Sequence, residues 1–445
     1  DKTSNMAISQ FYRISVAERN AQKVIGGLQD NGGHIHNGNQ WNTYHGGDGM
    51  DNVIDPNNDN LLYGFTQNGG SLNISTDSGQ SIGFVGPPKN ADDSDREGNW
   101  ITPLAISSAG DVYSGFDAVY KLVGNSWEKI SNVIGVGNID DLEVDPNNSM
   151  NIYAIESNGI YRSTNGGANF SLITSLGSEI SDLTINRTNG NILYATTSKR
   201  IGTAESNQTA EADRGVFKIT INGNSATSEN ITYNLPTNQA FFSIIHQGRN
   251  TDNPVFVGTS LGVYRIDDTL SEWEDYFTNL PSVAIGDLEI SLDDEIITAA
   301  TYGRGIWQSP IPIKKADDDI RLTSASPITN AVLCGEITPE ILVENKGIND
   351  ITSITVNYGI EGETAQNFIW TGVITSGQSQ NIILPNLSTS VYGKAILNAQ
   401  VIIANDTFSD NNEISNTFFV NRNGIGNTIN TFDTPEEILI VYTDD

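Results

Sequence analysis

Short apolar runs separated by polar turns recur along most of the chain. In the clearest copy, apolar residues fall at 142, 144, 152–154 and 160–161, and the turns between them contain Pro146 and Gly159. Each run is only a few residues long, which is the length of a strand rather than a helix. Pro, Gly and Asn supply the backbone angles that tight connections between strands need. The pattern predicts a module of short antiparallel strands.

This module recurs seven times, at a spacing of roughly 40–55 residues. Its third strand carries a Gly–apolar–aromatic signature, loosely matched in some copies, at residues 33–35, 70–72, 118–120, 159–161, 215–217, 262–264 and 305–307. Its second strand precedes each signature, at residues 24–25, 62–63, 112–113, 152–153, 193–194, 255–256 and 296–297. One four-stranded module cannot bury both of its faces, so the copies must stack around an axis. The sequence predicts an all-β fold with a seven-bladed β-propeller over residues 1–313; six or eight blades are the alternatives.

The pattern changes after Pro312. A charged segment at 314–319 reads as a linker, and alternating strands follow at 340–343, 354–358, 368–370, 381–384 and 399–403. We predict an immunoglobulin-like β-sandwich over residues 314–424. Residues 425–445, which include the apolar run 438–442, are expected to begin a further domain or to form a C-terminal extension. We therefore interpret the chain as a segment of a longer polypeptide.

Two predicted turns resemble the Asp-box hairpin, also called the BNR repeat, of sialidases and sortilin-type receptors. In that hairpin an Asp or Asn side chain ties the backbone amides of the turn, and an aromatic residue closes the outer strand. The matching residues are Ser75, Asp77 and Gly79 in one copy, and Ser163, Asn165, Gly167 and Phe170 in the other. The resemblance implies a structural role for these residues and is nearly silent about function.

Two further resemblances concern the kind of protein to which the chain belongs and its location. Segments 26–32, 45–50 and 300–307 look like the propellers of large multidomain proteins that Bacteroidetes export through the type IX system. The elements 345–347 (NKG), 370–372 (WTG) and 410–412 (DNN) resemble the CARDB-type immunoglobulin-like domain. The resemblances imply a secreted or cell-surface protein with a spacer or adhesion domain. Other domains of the same polypeptide are then expected partners.

Composition bears on the classes of partner. The 445 residues include 23 Lys and Arg against 54 Asp and Glu, for a formal net charge of −31. Nucleic-acid binding needs clustered Lys and Arg, which this chain lacks, so we predict none. No apolar stretch approaches the length of a membrane span, so no membrane insertion is expected. The single cysteine, Cys334, excludes a disulfide framework and is expected to be a buried, small apolar residue.

Acidic residues recur at one position of the innermost predicted strand. The pattern Asp-Leu-x-apolar begins at Asp141, Asp182 and Asp287, Asp51 begins a looser copy, and Arg13 takes the equivalent place in the first module. Equivalent positions converge on the axis of a propeller, so these five residues are expected to ring one mouth of its channel. The ring is either a site for a cation or polar ligand, or a structural set in which each Asp caps a neighbouring blade's amide. The repetition favours the structural interpretation.

Enzyme signatures are incomplete. Residues 11–15 (FYRIS) resemble the sialidase element whose arginine binds the substrate carboxylate, but Ser15 replaces its proline. Arg249 and Arg304 are candidates for the other two arginines such an enzyme needs, and Tyr302 for its nucleophile. Xyloglucanase-like Asp-box hydrolases carry an Arg-Thr-Asp-x-Gly-Gly element. The matching stretch 65–70 (FTQNGG) lacks both the Arg and the Asp.

Two kinds of metal site need consideration. His34, His36 and His45 lie close in sequence, and His34 and His36 have the spacing of a zinc pair on a strand. The segment reads instead as a Gly- and Asn-rich loop with solvated histidines. Asp- and Asn-rich turns at 55–59, 92–95 and 406–413 offer the oxygen ligands that calcium takes, so calcium is the candidate cofactor.

We interpret the chain as a non-catalytic extracellular segment for binding, adhesion or scaffolding. Its propeller loops are expected to contact a glycan or a surface protein, chiefly through the long segments 32–47, 87–100 and 198–214. The first alternative is a sialidase-like glycoside hydrolase with its site at the channel mouth. The second is an accessory region of a secreted protease whose catalytic domain lies elsewhere.

Overall fold

The computed structural model describes residues 8–198, 214–328 and 335–421. The chain divides into two compact units, Asp1–Ile313 and Lys314–Asp445. In the described residues every regular element is a strand, apart from two 3₁₀ turns at Gln67–Gly69 and Ser409–Asn411. No helix in this part of the chain is long and apolar enough to cross a membrane. Cys334, the interior of segment 198–214 and the extension 425–445 lie outside the described residues.

Seven antiparallel sheets follow one another in the described part of unit 1. The first four are β1 (Phe11–Ala17), β2 (Asn20–Leu28), β3 (Gly32–Asn37) and β4 (Trp41–His45); β5 (Gly49–Asp55), β6 (Asn58–Thr66), β7 (Leu72–Ser75) and β8 (Gly83–Val85); β9 (Leu104–Ile106), β10 (Val112–Gly115), β11 (Val119–Val123) and β12 (Ser126–Lys129); and β13 (Asp141–Val144), β14 (Ile152–Glu156), β15 (Gly159–Ser163) and β16 (Ser171–Ser175). The predicted second strands of these modules fall within observed strands. The predicted third strands overlap observed ones, although β7 begins only at the last residue of the predicted run 70–72.

The remaining three sheets continue the series. They are β17 (Ile180–Ile185), β18 (Ile192–Thr197), β19 (Gly215–Asn222) and β20 (Ser225–Asn230); β21 (Phe241–His246), β22 (Val255–Thr259), β23 (Val263–Ile266) and β24 (Glu274–Asp275); and β25 (Ile285–Ser291), β26 (Ile296–Thr301) and β27 (Ile306–Pro310). The last sheet has three strands within the described residues.

The first strand of each sheet lies innermost, and these seven strands form a closed ring. Each packs against the first strand of the next sheet, and β25 packs against β1. Apolar clusters fill the space between neighbouring sheets. In one of them Tyr153 and Ile155 of the fourth sheet pack with Leu183 and Ile219 of the fifth, all at least 98% buried. Burial of apolar side chains between sheets therefore holds the ring together.

The segment 32–47 is not the long loop that the sequence predicted. It forms the hairpin of β3 and β4, which turns at Gly38 with a φ of 90°. The glycines that suggested a loop serve packing instead. A Cβ atom on Gly33 would lie 2.6 Å from the Tyr44 ring, so only glycine lets the buried tyrosine lie against this strand. The three histidines accordingly stand on strands.

Unit 2 consists of two main antiparallel sheets that enclose one apolar core. Their strands are β28 (Ile320–Pro327), β30 (Pro339–Asn345) and β33 (Ser379–Ile383) in one sheet, and β32 (Gln366–Ile374), β31 (Ile351–Ile360), β35 (Gly393–Ile402) and β36 (Glu413–Val420) in the other. β29 (Glu336–Ile337) and β34 (Leu387–Ser388) form a small third sheet. Tyr358, Ile341 and Leu397 are among the fully buried core residues.

A set of buried polar groups closes one end of this core. The Asn345 side chain donates to the carbonyl oxygens of Asn349 and Ile374, both at 2.8 Å, and accepts from Gly347 N. The last residue of the predicted linker 314–319 belongs to this set, which corrects the sequence interpretation for that residue. Asp319 is buried, and its carboxylate accepts from Asn411 Nδ2 at 3.1 Å.

Candidate functional site

The seven inner strands surround an axial cavity of about 280 Å³. The residues that the sequence placed at a channel mouth all line it, namely Arg13, Asp51, Asp141, Asp182 and Asp287. Each stands near the start of its inner strand, so equivalent positions do converge. Pro103 and Ser243 take the corresponding places in the third and sixth sheets.

Each of the four carboxyl groups reaches the backbone of the next sheet. The pairs are Asp51 Oδ2 with Leu104 N (2.8 Å), Asp141 Oδ2 with Leu183 N (3.1 Å), Asp182 Oδ2 with Ile244 N (2.7 Å) and Asp287 Oδ2 with Ile14 N (2.8 Å). In Asp51, Asp141 and Asp287 the other oxygen accepts the amide of the following residue. These contacts link neighbouring sheets through a carboxylate, as the structural interpretation requires.

Arg13 is the cation of this ring. Its Nη1 donates to the carbonyl oxygen of Gly286 in the neighbouring sheet at 2.8 Å. Burial alone lowers the pKa of Arg13, but the four surrounding carboxylates outweigh burial and raise it above its usual value. The guanidinium therefore stays charged and offsets part of the negative charge of the ring.

The four aspartates are half-buried, and they line the cavity. Burial therefore raises the pKa of Asp51 to about 7, even though Arg13 and two backbone amides favour its charged form. Burial likewise raises the pKa of Asp287 to about 6. The pKa of Asp182 is raised well above its ordinary value by burial and by Asp141. Near neutral pH the ring therefore holds fewer than four negative charges.

Two further acids in the cavity, Glu143 and Glu289, were not selected from the sequence. Each lies two residues beyond a ring aspartate, on β13 and β25 respectively. Burial raises the pKa of both well above the usual range, and neighbouring carboxylates add to the effect. The sequence did contain the information needed to predict them, because residues i and i+2 of a strand point to the same side. The pattern Asp-Leu-Glu therefore carries two channel-facing acids.

The far end of the cavity carries a second arginine. Arg187 Nη1 lies 3.5 Å from Glu18 Oε1, and both side chains are about one-third exposed. The charge of Arg187 lowers the pKa of Glu143 and Glu289, although burial outweighs it. The cavity is therefore acidic along its length, with one guanidinium near each end.

The arginines proposed for a sialidase-like site do not converge. Arg13 bonds to Gly286 near the start of β25, whereas Arg249 pairs with Asp293 beyond the end of that strand, at 2.5 Å. Gly286 and Asp293 thus lie at opposite ends of β25, a strand that spans roughly 20 Å at about 3.3 Å per residue. Arg304 lies in an exposed turn and donates to the Gly303 carbonyl.

The predicted nucleophile, Tyr302, donates its hydroxyl to Gln29 Oε1. Burial raises the pKa of this tyrosine above its ordinary value, which opposes formation of a phenolate. The structure therefore gives this residue a hydrogen-bonded, neutral role.

The candidate metal residues have ordinary hydrogen-bond partners. His34 Nε2 lies 3.0 Å from Asn31 O, His36 Nδ1 lies 2.8 Å from Gln22 O, and His45 Nδ1 lies 3.0 Å from Gly46 O. In turn 55–59 the Asp55 carboxylate accepts two backbone amides. Within residues 8–198, 214–328 and 335–421, no group of three or more His, Cys, Asp or Glu has a geometry that could hold a metal ion.

The two turns that resemble Asp-boxes share one hydrogen-bond pattern. Ser75 Oγ donates to Asp77 Oδ1 and accepts from Gly79 N, both at 2.8 Å. Ser163 Oγ donates to Asn165 Oδ1 at 2.8 Å and accepts from Gly167 N at 3.0 Å. The Asp or Asn then accepts an amide four residues on, from Ser81 or Asn169. Phe170 packs beside the apolar cluster of the third and fourth sheets.

Solved structures similar to this chain are β-propellers. The GH74 xyloglucanase from Xanthomonas campestris matches with a TM-score of 0.55 and 13% identity, over 76% of this chain and 58% of that one. The GH74 enzyme of Niastella koreensis matches with a TM-score of 0.54 and 16% identity, over 92% of this chain and 66% of that one. YCF48 from Cyanidioschyzon merolae matches with a TM-score of 0.52 and 12% identity, over 69% of this chain and 97% of that one. At such identities the likeness shows the fold alone, and the chain contains a β-propeller.

No family model and no curated protein matches this sequence. The chain spans about three-fifths of the Xanthomonas enzyme. The propeller fold supports many unrelated activities, so function must be argued from the cavity and the loops.

Proposed function

We propose that this chain is a non-catalytic, extracellular binding segment of a larger protein. Its first unit is a seven-bladed Asp-box propeller that contacts a glycan or a surface protein through its loops. Its second unit is a CARDB-type immunoglobulin-like sandwich that spaces the propeller from other domains of the same polypeptide. The −31 charge and the resemblance to exported Bacteroidetes propellers support a secreted or cell-surface location.

The observation that carries this proposal is the engagement of the ring carboxylates. Each of the four aspartates accepts a backbone amide of the next sheet, and three of them also accept an amide of their own strand. A catalytic nucleophile or general base needs an oxygen that is free to reach the substrate. Carboxylates held in this way serve the ring rather than a reaction.

A glycoside hydrolase is the second candidate function. Two observations favour it: the likeness to GH74 enzymes and the raised pKa of Glu143 and Glu289, since a general acid must keep its proton near neutral pH. The stretch 65–70 weighs against a xyloglucanase. In place of the acid it has Gln67, whose Oε1 accepts the Asp48 amide at 3.2 Å.

A glycan-binding screen that also measures cleavage separates the two candidates. The purified chain is tested against a glycan array and against xyloglucan in solution, with release of reducing ends followed over time. We expect binding without new reducing ends. Cleavage that is lost in the double variant Glu143→Gln, Glu289→Gln, but kept in the matched surface variant Glu229→Gln, would establish the hydrolase instead.

Two further hypotheses stay open to experiment. An accessory role beside a secreted protease requires a catalytic domain in the same polypeptide, which the full-length gene product would reveal. Calcium binding by turns 55–59, 92–95 or 406–413 predicts a lower melting temperature in a chelator. An unchanged melting temperature in EDTA would contradict the calcium hypothesis.

A further inference from the structure

Three tryptophans are exposed to a similar degree in unit 1. The exposed fractions are 43% for Trp41, 40% for Trp100 and 37% for Trp307. Trp41 and Trp307 lie on β4 and β27, the outermost described strands of their sheets. Trp100 instead precedes by three residues Pro103, which takes the ring position in the third sheet. It therefore stands in the loop that leads into β9, the inner strand of that sheet.

The loop that carries Trp100 is held in place on several sides. Asn68 N donates to the Trp100 carbonyl at 3.2 Å, and Gly98 N donates to the Asn68 carbonyl at 2.9 Å. Asn99 Nδ2 donates to Asp140 Oδ1 at 2.6 Å. A binding surface that is ordered beforehand loses less conformational entropy when it binds. Trp100 is thus presented on a pre-formed surface.

Arg96, earlier in the same loop, pairs with Asp117 at 3.0 Å between Nη1 and Oδ1. Lys129 Nζ lies 3.2 Å from the other oxygen of this carboxylate. These contacts fasten the loop to the third sheet. They also pair Arg96 and Lys129 with Asp117, so both cations are already engaged by a carboxylate.

A second loop completes the surface. Val136 is fully exposed at its tip, and Gly137 N donates to Glu156 Oε1 at 3.0 Å. Asn138 Nδ2 donates to the Glu97 carbonyl at 3.2 Å, which joins this loop to the one that carries Trp100. We call the set Glu97, Trp100, Val136, Asn138 and Glu156 the Trp100 rim. It combines apolar area with carboxylate and amide groups.

We propose that the Trp100 rim binds a neutral glycan. This inference rests on the proposed function and assigns it a surface and a ligand class. The exposed indole offers an apolar face to a sugar ring, while the carboxylate and amide groups of the two linked loops can bond to its hydroxyl groups. The strongly negative chain repels sulphated or sialylated glycans, and the nearby Arg96 and Lys129 are already paired. Among glycans, a neutral one is therefore compatible both with the apolar indole and with the negative charge of the chain.

The test compares single variants of the whole chain by calorimetry against neutral and sialylated or sulphated oligosaccharides. Trp100→Ala is expected to weaken neutral-glycan binding about tenfold or more, because an exposed aromatic anchor dominates such interfaces. Trp41→Ala is the matched control and is expected to change affinity less than about twofold. Val136→Glu, at a fully exposed position, is expected to weaken binding about threefold with no change in melting temperature.

The outcomes separate this inference from the proposed function. Neutral-glycan binding that survives both Trp100→Ala and Val136→Glu would overturn the Trp100 rim and leave the binding function intact. A preference for anionic glycans, or binding to proteins alone, would also overturn it. Absence of binding to glycans and to surface proteins alike would contradict the proposed function itself.

Discussion

The two units bury polar groups in different ways. In unit 1, acids line a central cavity, and the pKa of five of them is raised, namely Asp51, Asp182, Asp287, Glu143 and Glu289. In unit 2 the core between the sheets is apolar, and buried amides and one carboxylate close a single end. A ring of inner strands leaves an axial space, whereas two facing sheets interdigitate. The architecture of each unit therefore decides where its polar groups lie.

The largest expected effect of this difference is on how the stability of each unit depends on pH. The channel acids bind a proton more tightly in the folded chain than in the unfolded one, so they favour folding most at low pH. This contribution fades as the pH rises from about 4 through the folded pKa values of about 6 and 7 for Asp287 and Asp51. The free energy of unfolding of unit 1 is expected to fall across this range by several kcal/mol, since each unit by which a pKa is raised corresponds to about 1.4 kcal/mol.

Calorimetric scans at several values between pH 5 and pH 8 test this expectation. The unit 1 transition should move to lower temperature more than the unit 2 transition, because the pKa is raised for five channel acids of unit 1 and, in unit 2, for Asp406. The double variant Glu143→Gln, Glu289→Gln should make the melting temperature of unit 1 depend less steeply on pH. A unit 1 transition that rises with pH would contradict the assigned pKa directions.

The next effect concerns the polar end of unit 2. Asn345→Ala removes a fully buried side chain that makes three hydrogen bonds to backbone groups. Because those groups are left unpaired, we expect a loss of about 2–4 kcal/mol in the free energy of unfolding of unit 2. Denaturant titration of the whole chain measures the loss. The same variant identifies which calorimetric transition belongs to unit 2.

The smallest expected effect is in the two matching turns of unit 1. Ser163→Ala and Ser75→Ala each remove a buried hydroxyl that accepts the amide of a glycine four residues on. We expect each to lower the free energy of unfolding by about 1 kcal/mol. Equal losses at both sites would support a common structural role. A loss at one site only would show that the two turns are not equivalent.

Local patterns in the sequence were enough to predict most strands of the unit 1 sheets. Apolar runs and turn residues lie within a few positions of each other, so the second and third strands could be placed closely. The ring aspartates were found because one position recurs from module to module. Glu143 and Glu289 were missed although the two-residue period of a strand implied them. β3 was predicted at residues 33–35, but its partner β4 was missed, because the Gly- and Asn-rich segment around it looks like a loop.

Contacts between distant residues could not be inferred in the same way. The acidic run 317–319 looks like a solvated linker because the partner that explains Asp319, Asn411, lies 92 residues away. The pairing of each ring aspartate with the next sheet likewise spans 42 to 273 residues. One sequence shows which residues recur, and only the fold shows which amides they reach.

The most direct test of the account is Asp287→Ala, measured for both stability and glycan binding. The variant leaves the amides of Ile14 and Leu288 without their carboxylate. The account predicts a clear drop in the melting temperature of unit 1, with about 2 kcal/mol lost, and an unchanged glycan affinity at a temperature where the variant is folded. An unchanged melting temperature together with lost binding, or with lost cleavage, would show that the ring is a functional site rather than a structural one.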